Sequence, residues 1–334
     1  MFKKLAITAL VATISVGSLF GADKINGAGA TFPAPLYYEW AFNYKKDTQN
    51  LINYQSIGSG GGIKQITSRV VDFGASDEAL SPKKLEEAKL LQFPVAIGSI
   101  VVAFNVAGIA DEKLKLKNSV VADIFAGKIT SWNDAAIAAD NKGINLPNQK
   151  IIVVHRADGS GTTFNFTYYL SKVSKNWSDN FGTSKSVDWA VGIGAKGNEG
   201  VTSIIKQTPF SIGYIETEYK EKNNLSAAIL QTASGKWVIA NEENFKAAAK
   251  YATWTKEDSF FEVLALEKGD TSYPLVAATF ILLPKEKLDT NKKTVAFYEY
   301  AFSKGDATAK KLGYIALPDD VKKMVREYWA ANIK

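Results

Sequence analysis

Short runs rich in β-branched and aromatic residues alternate along this chain with longer amphipathic runs, and this alternation restricts the fold more than any other feature of the sequence. Residues 151–154 are followed by an amphipathic run over 164–173, and 70–73 by one over 83–91. Strands that give way to helices in this manner build an α/β architecture with largely parallel sheets. With 334 residues, 46% hydrophobic and 22% charged, there is material for one large or two ordinary globular domains. No repeat and no Pro/Gly/Ser linker divides the chain, so two lobes would require it to cross between them more than once. The final segment, 319–332, places Val321, Met324, Val325, Tyr328 and Trp329 on one helical face behind Pro318, a helix built to dock.

The first 22 residues are a separate object. Lys3 and Lys4 precede an apolar run of 16 residues over 5–20, short for a membrane span and typical of a secretory signal peptide, with the cut expected near Gly21 or Ala22. Without residues 1–22 the chain carries 38 basic and 34 acidic groups over 312 residues, a net +4 that gives no reason to expect nucleic acid as a partner. There is no cysteine, so the core must stand without disulfides, and a lipid-modified cysteine at the cleavage point is excluded. These observations predict an exported, periplasmic protein that is not lipid-anchored.

Three Gly-rich or polar breaks stand immediately before helical patterns: Gly27-Ala-Gly-Ala-Thr31-Phe32-Pro33-Ala-Pro35, Gly58-Ser59-Gly60-Gly61-Gly62, and Arg156-Ala-Asp158-Gly-Ser160-Gly161-Thr162-Thr163. Each joins free backbone N–H groups at a helix start to hydroxyls and little bulk, which suits an oxyanion. Any one of them also reads as ordinary helix capping; three together point to a small anion. A fourth break, Phe73-Gly-Ala-Ser76-Asp77, precedes a helix capped by Ser81 with Pro82 at its first position. Taken alone, Asp77 reads as a turn residue, and Arg156 beside Asp158 as a structural ion pair.

Enzyme readings find less support. His155 is the only histidine, and no Gly-x-Ser-x-Gly elbow accompanies it, because Asp158 stands where the first glycine belongs. The stretch 58–64 lacks the second glycine of a phosphate-binding P-loop, and Gln65 follows its lysine where Ser or Thr is required. Gly192-Ile-Gly194-Ala-Lys-Gly197 matches a dinucleotide pattern but opens no clear βαβ unit. With no cysteine and one histidine, neither metal nor cofactor is expected.

In their order and spacing, the motifs 27–35, Gly58-Ser59, Val71-Asp-Phe-Gly-Ala-Ser-Asp77 and 156–162 resemble the ligand loops of the periplasmic phosphate-binding proteins of phosphate-specific ATP-binding-cassette importers. The likeness runs from about Asn26 to Lys334 and includes 121–132 and 279–283 outside the loops. It implies a two-lobed type II periplasmic binding protein fold, each lobe a mostly parallel sheet flanked by helices, with the ligand in the cleft. Lobe one would comprise 23–98 plus 277–334 and lobe two 99–276, with crossings near 97–102 and 275–280. Carried over residue by residue, the phosphate contacts fall on Thr31, Phe32 through its amide, Ser59, Asp77, Arg156, Ser160, Gly161 and Thr162, with Asp158 and Gly60 in support. Gly60 and His155 depart from the familiar pattern, which has a second Ser and a second Arg there. The implied partners are inorganic phosphate and the membrane permease subunits, and the implied state is a monomer. Two alternatives stand beside this reading: an exported phosphatase or other phosphoryl-transfer enzyme using the same loops, and a surface protein whose ligand has become incidental.

Overall fold

In the computed structural model, residues 22–334 are described, so the expected leader up to residue 21 lies outside the described residues. In chain order the strands are β1 (Lys24–Gly29), β2 (Leu51–Ser56), β3 (Phe73–Ser76), β4 (Leu90–Asn105), β5 (Ile152–Arg156), β6 (Ile193–Ala195), β7 (Ser211–Glu216), β8 (Ser226–Ala227), β9 (Leu230–Gln231), β10 (Trp237–Val238), β11 (Val276–Pro284) and β12 (Ile315–Ala316). Hydrogen bonding runs β2-β1-β3-β11-β4-β7-β5-β6, with β8 and β12 also on β4.

Two parallel sets, β2-β1-β3 and β7-β5-β6, are joined by antiparallel β11 and β4. β4 makes the join. It pairs with β11 from Leu90 to Ser99 and with β7 from Ile100 to Asn105. All but its last residue are buried, as its nearly unbroken apolar sequence requires of a central strand.

The core on one side of this switch is aromatic and joins both chain ends. Tyr37 packs on Trp40, Tyr54 and Tyr298, and Phe73 on Tyr54 and Tyr298. On the other side, Tyr214 stacks on Phe166 at 4.3 Å, with Phe125 and Trp189 against them. The terminal helix Asp319–Asn332 docks as its pattern predicts: Trp329 stacks on Phe302 and meets Phe93 edge-on. Lys322 of that helix is also buried, held by Asp306 at 2.6 Å. No helix among the described residues is long and apolar enough to cross a membrane.

The Gly-rich run at 58–62 does not precede its helix but forms the first turn of it, Ser59–Thr67. The helix start lies so close to β1 and β3 that a Cβ on Gly62 would sit 2.5 Å from Gly29 Cα and 2.7 and 2.8 Å from the carbonyl oxygens of Ala28 and Ala75. Only backbone surrounds it, so nothing there yields easily. Gly62→Ala is expected to cost about 1 to 3 kcal/mol as overpacking. Urea unfolding checks this, and an unchanged midpoint would show that the helix can retreat freely.

Candidate functional site

Five strands, three from one parallel set and two from the other, end at one place. β1 leads to Thr31 and Phe32, β2 to Ser59, β3 to Asp77, β5 ends on Arg156 and leads to 158–162, and β6 leads to Asn198. The crevice outside the carboxyl ends of such strands is the general ligand site of α/β sheets. Helices begin at Ala34, Ser59, Gly161 and Gly197, so four positive dipole ends face the same region. The structure brings all the residues singled out above together, and all of the proposed contacts are buried.

Arg156 is 3% exposed and serves two directions at once. Its Nε and Nη2 donate to Asp158 at 2.7 and 2.6 Å, and Nη1 donates to Thr162 Oγ1 at 3.4 Å. A guanidinium has five N–H groups, so two remain after these bonds. Burial alone would raise the Asp158 carboxyl, but the hydrogen bonds and charge of Arg156 reverse this and hold it below its ordinary value. Asp158 Oδ1 also accepts from the Gly197 amide at 3.0 Å, fixing the start of the neighbouring helix. The structural ion pair and the site residue are therefore the same arginine.

Asp77 is 3% exposed. Its Oδ2 accepts from the Ser59 hydroxyl at 3.4 Å, while Oδ1 is buried without a partner. Burial pushes the carboxyl up to about 7, against the pull of the Thr279 hydroxyl, the Arg156 charge and the Ser59 hydroxyl.

The groups around Asp77 are donors. Ser59 Oγ already accepts from the amides of Asp77 and Gly161, at 3.2 and 3.0 Å. Ser160 Oγ accepts from the Thr163 amide at 3.0 Å. Thr31 and Thr162 both accept from Asn198. An oxygen occupied as an acceptor leaves its proton to donate. Among the described residues, the amides of Phe32, Ser59 and Thr162 meet no protein acceptor. The Gly60 amide, in contrast, is spent across the cleft on Gly159 O at 2.8 Å, so it holds the two loops together.

Two residues that tie the site together escaped the sequence reading. Asn165 donates to Asp77 O at 2.7 Å and to Gly161 O at 3.0 Å, and Asn198 ties Thr31 to Thr162. The available signal for Asn198 was a fourth helix start after a short strand. His155 is half-buried, stacked on Trp189 at 4.8 Å, with Nδ1 against Arg156 O; among the described residues no hydroxyl bonds to its ring.

A family model described as a PBP superfamily domain matches residues 15–304. Phosphate-binding protein PstS of Haemophilus influenzae is 46% identical over 315 residues, 94% of each chain. The protein of the same name from Pasteurella multocida is 48% identical, over 94% of this chain and 92% of its own. The chain belongs to the PstS phosphate-binding protein family of the PBP superfamily. A solved structure of the high affinity periplasmic phosphate-binding protein PfluDING, bound with phosphate, has the same fold: TM-score 0.74 at 20% identity, over 91% of this chain and 93% of that one. Membership carries the two-lobed type II architecture of these proteins, in which the switch along β4 joins the two sheets.

In the ligand-free protein, folded Asp77 holds its proton up to about pH 7, whereas an unfolded chain releases it near its ordinary value of 3.8. That contribution to stability is full below the unfolded value and is lost as pH rises through about 7. Asp77→Asn should remove a pH-dependent difference on the order of 4 kcal/mol. Urea unfolding of both proteins between pH 4 and pH 8 measures it, and parallel curves would show an unperturbed carboxyl.

Proposed function

We propose that the chain is a periplasmic receptor that captures inorganic phosphate between its lobes and delivers it to the permease subunits of an ATP-binding-cassette importer. The observation that carries this reading is the unpartnered, buried Oδ1 of Asp77 set among groups that donate. Near neutral pH phosphate keeps a proton and sulfate has none. Ionised Asp77 can accept that proton in a hydrogen bond; sulfate would leave the oxygen unpaired and repelled in a desolvated site. Sites that strand a buried polar group against the wrong ligand discriminate by ~10⁴-fold or more. The relatives from Haemophilus influenzae and Pasteurella multocida, named as phosphate-binding proteins, support the same ligand.

In this reading Thr31, Ser160 and Thr162 donate through hydroxyls, Phe32 and Ser59 through unspent helix-start amides, Gly161 braces the site by giving its amide to Ser59 Oγ, and Arg156 supplies the fixed charge. Asp158 holds Arg156 in register, and Gly60 closes the loops. Residues 23–98 with 277–334 form one lobe and 99–276 the other. Each contributes donors, so ligand favours the closed form, and the closed form is what the permease recognises. Residues 1–22 export the chain, which works as a monomer without a lipid anchor. As in its family, binding involves no covalent step.

The test is calorimetric titration of the mature chain, stripped of ligand by unfolding and refolding, with phosphate in excess sulfate. One-to-one binding that ignores sulfate is expected; no heat with either anion would overturn the reading. Asp77→Asn should let sulfate compete, and sulfate exclusion as firm as in the parent would remove Asp77 as the discriminator. Arg156→Ala should weaken phosphate binding by about 2 to 5 kcal/mol, the loss expected when one member of a buried charged set is truncated. An unchanged dissociation constant would leave Arg156 with its Asp158 pairing alone.

A further inference from the structure

We infer that Asn198 is the positioning residue that sets the polarity of this site, turning the hydroxyl protons of Thr31 and Thr162 toward the ligand from opposite sides of the cleft. The inference rests on the phosphate reading above and deepens it. Asn198 is fully buried at the start of the helix Gly197–Gln207. Its Oδ1 accepts from the Glu216 amide at 3.0 Å, which fixes the side-chain amide with its NH₂ toward the two hydroxyls. Nδ2 then donates to Thr31 Oγ1 at 2.8 Å and to Thr162 Oγ1 at 3.2 Å, and the Asn198 backbone amide adds a second bond to Thr31 at 3.1 Å. Both hydroxyl oxygens are thereby occupied as acceptors, leaving each proton to point elsewhere.

Glu216 is the last residue of β7 and pairs with Ile100, where β4 has just changed partner. The direction of two ligand-facing hydroxyls is thus set from the backbone of the strand switch. Thr31 precedes the first helix and Thr162 follows β5, so one amide group can polarise both only while the cleft is shut.

An aspartate at this position has the same shape and the opposite hydrogen-bonding sense. Its oxygens would draw both hydroxyl protons away and present hydroxyl lone pairs to an anion. Alanine would leave Thr31 with the backbone amide of residue 198 alone and Thr162 with the long bond from Arg156 alone, so each hydroxyl would be held less firmly. Phosphate affinity should therefore fall in the order parent, Asn198→Ala, Asn198→Asp, by about 10-fold for Ala and about 100-fold or more for Asp. The added negative charge of Asp would weaken anion binding in either case, whereas a role confined to packing predicts additivity with changes at Thr31, so the cycle carries the decision.

The experiment is calorimetry with inorganic phosphate on the mature chain, its Asn198→Ala and Asn198→Asp variants, and a cycle combining Asn198→Ala with Thr31→Val. The stated order, and a smaller Asn198→Ala loss on the Thr31→Val background, are expected. Equal affinities for the Ala and Asp variants, or additive losses in the cycle, would overturn the inference while phosphate binding by the parent stands. Should Asn198→Asp fail to fold, the cycle alone decides. A parent that does not bind phosphate removes the reading and the inference together.

Discussion

The unmatched carboxylate of Asp77 is the feature on which the site depends. Taking a carboxylate out of water costs several kcal/mol unless it is paired and hydrogen-bonded. Asp77 has one long bond from Ser59 and an oxygen with none. The nearby cation does not settle the account, because Arg156 gives two of its N–H groups to Asp158. The bonds and charge of Arg156 outweigh burial at Asp158 and hold it below its ordinary value, whereas at Asp77 burial outweighs the same charge and carries the carboxyl above it. In the proposed reading the site selects by hydrogen-bond complementarity, with neutral hydroxyls and helix-start amides doing most of the solvation of an anion.

That arrangement needs two loop sets held face to face, and the strand switch along β4 provides it. Near the switch, a Cβ on Gly98 would meet the Phe32 ring at 2.6 Å, and Tyr314 donates to Phe32 O at 2.7 Å. The residue whose amide faces the site is therefore clamped from behind at the seam. The Ser99 and Thr217 hydroxyls meet at 2.6 Å across the same join. Contacts between the halves are short and mostly neutral at the centre, as with Asn165 on Asp77 O, while Lys185 and Glu78 pair at 3.1 Å nearer the rim. Neutral bonds of about 1 kcal/mol each make a closure that a ligand can tip without locking it.

Much of this was legible because the chemistry constrains residue type. An anion cradle at helix starts needs Gly, Ser and Thr, and these leave a visible signature, as in Ser160-Gly161-Thr162. The strand and helix periods, and the docking face of 319–332, were legible for the same reason. Asn165, Asn198, Glu216 and Lys322 were not. An asparagine near a helix start looks like a cap whether it bonds its own backbone or a hydroxyl 167 positions away, and only the fold distinguishes the two. Lys322 falls on the polar side of its pattern and is buried because Asp306, on the preceding segment, waits for it. The glycines at 60–62 were read as a break before a helix; they lie in its first turn, where at Gly62 the strands behind leave no room for a side chain.

The acceptor and donor roles in the cleft form a single ordered set. A backbone amide of β7 orients Asn198, Asn198 occupies two hydroxyl oxygens and a backbone amide occupies that of Ser160, so the hydroxyls of Thr31, Thr162 and Ser160 are left as donors, while Ser59 spends its proton on Asp77. Against them stands one carboxylate oxygen that can only accept while ionised. A ligand must therefore bring many acceptors and one donor on the same small body, and must present the donor in one direction. A tetrahedral oxyanion with a single proton meets that requirement. A fully deprotonated one lacks the donor, and a neutral polyol offers too few acceptors for a ring whose unspent N–H and O–H groups would otherwise stay buried and unpaired.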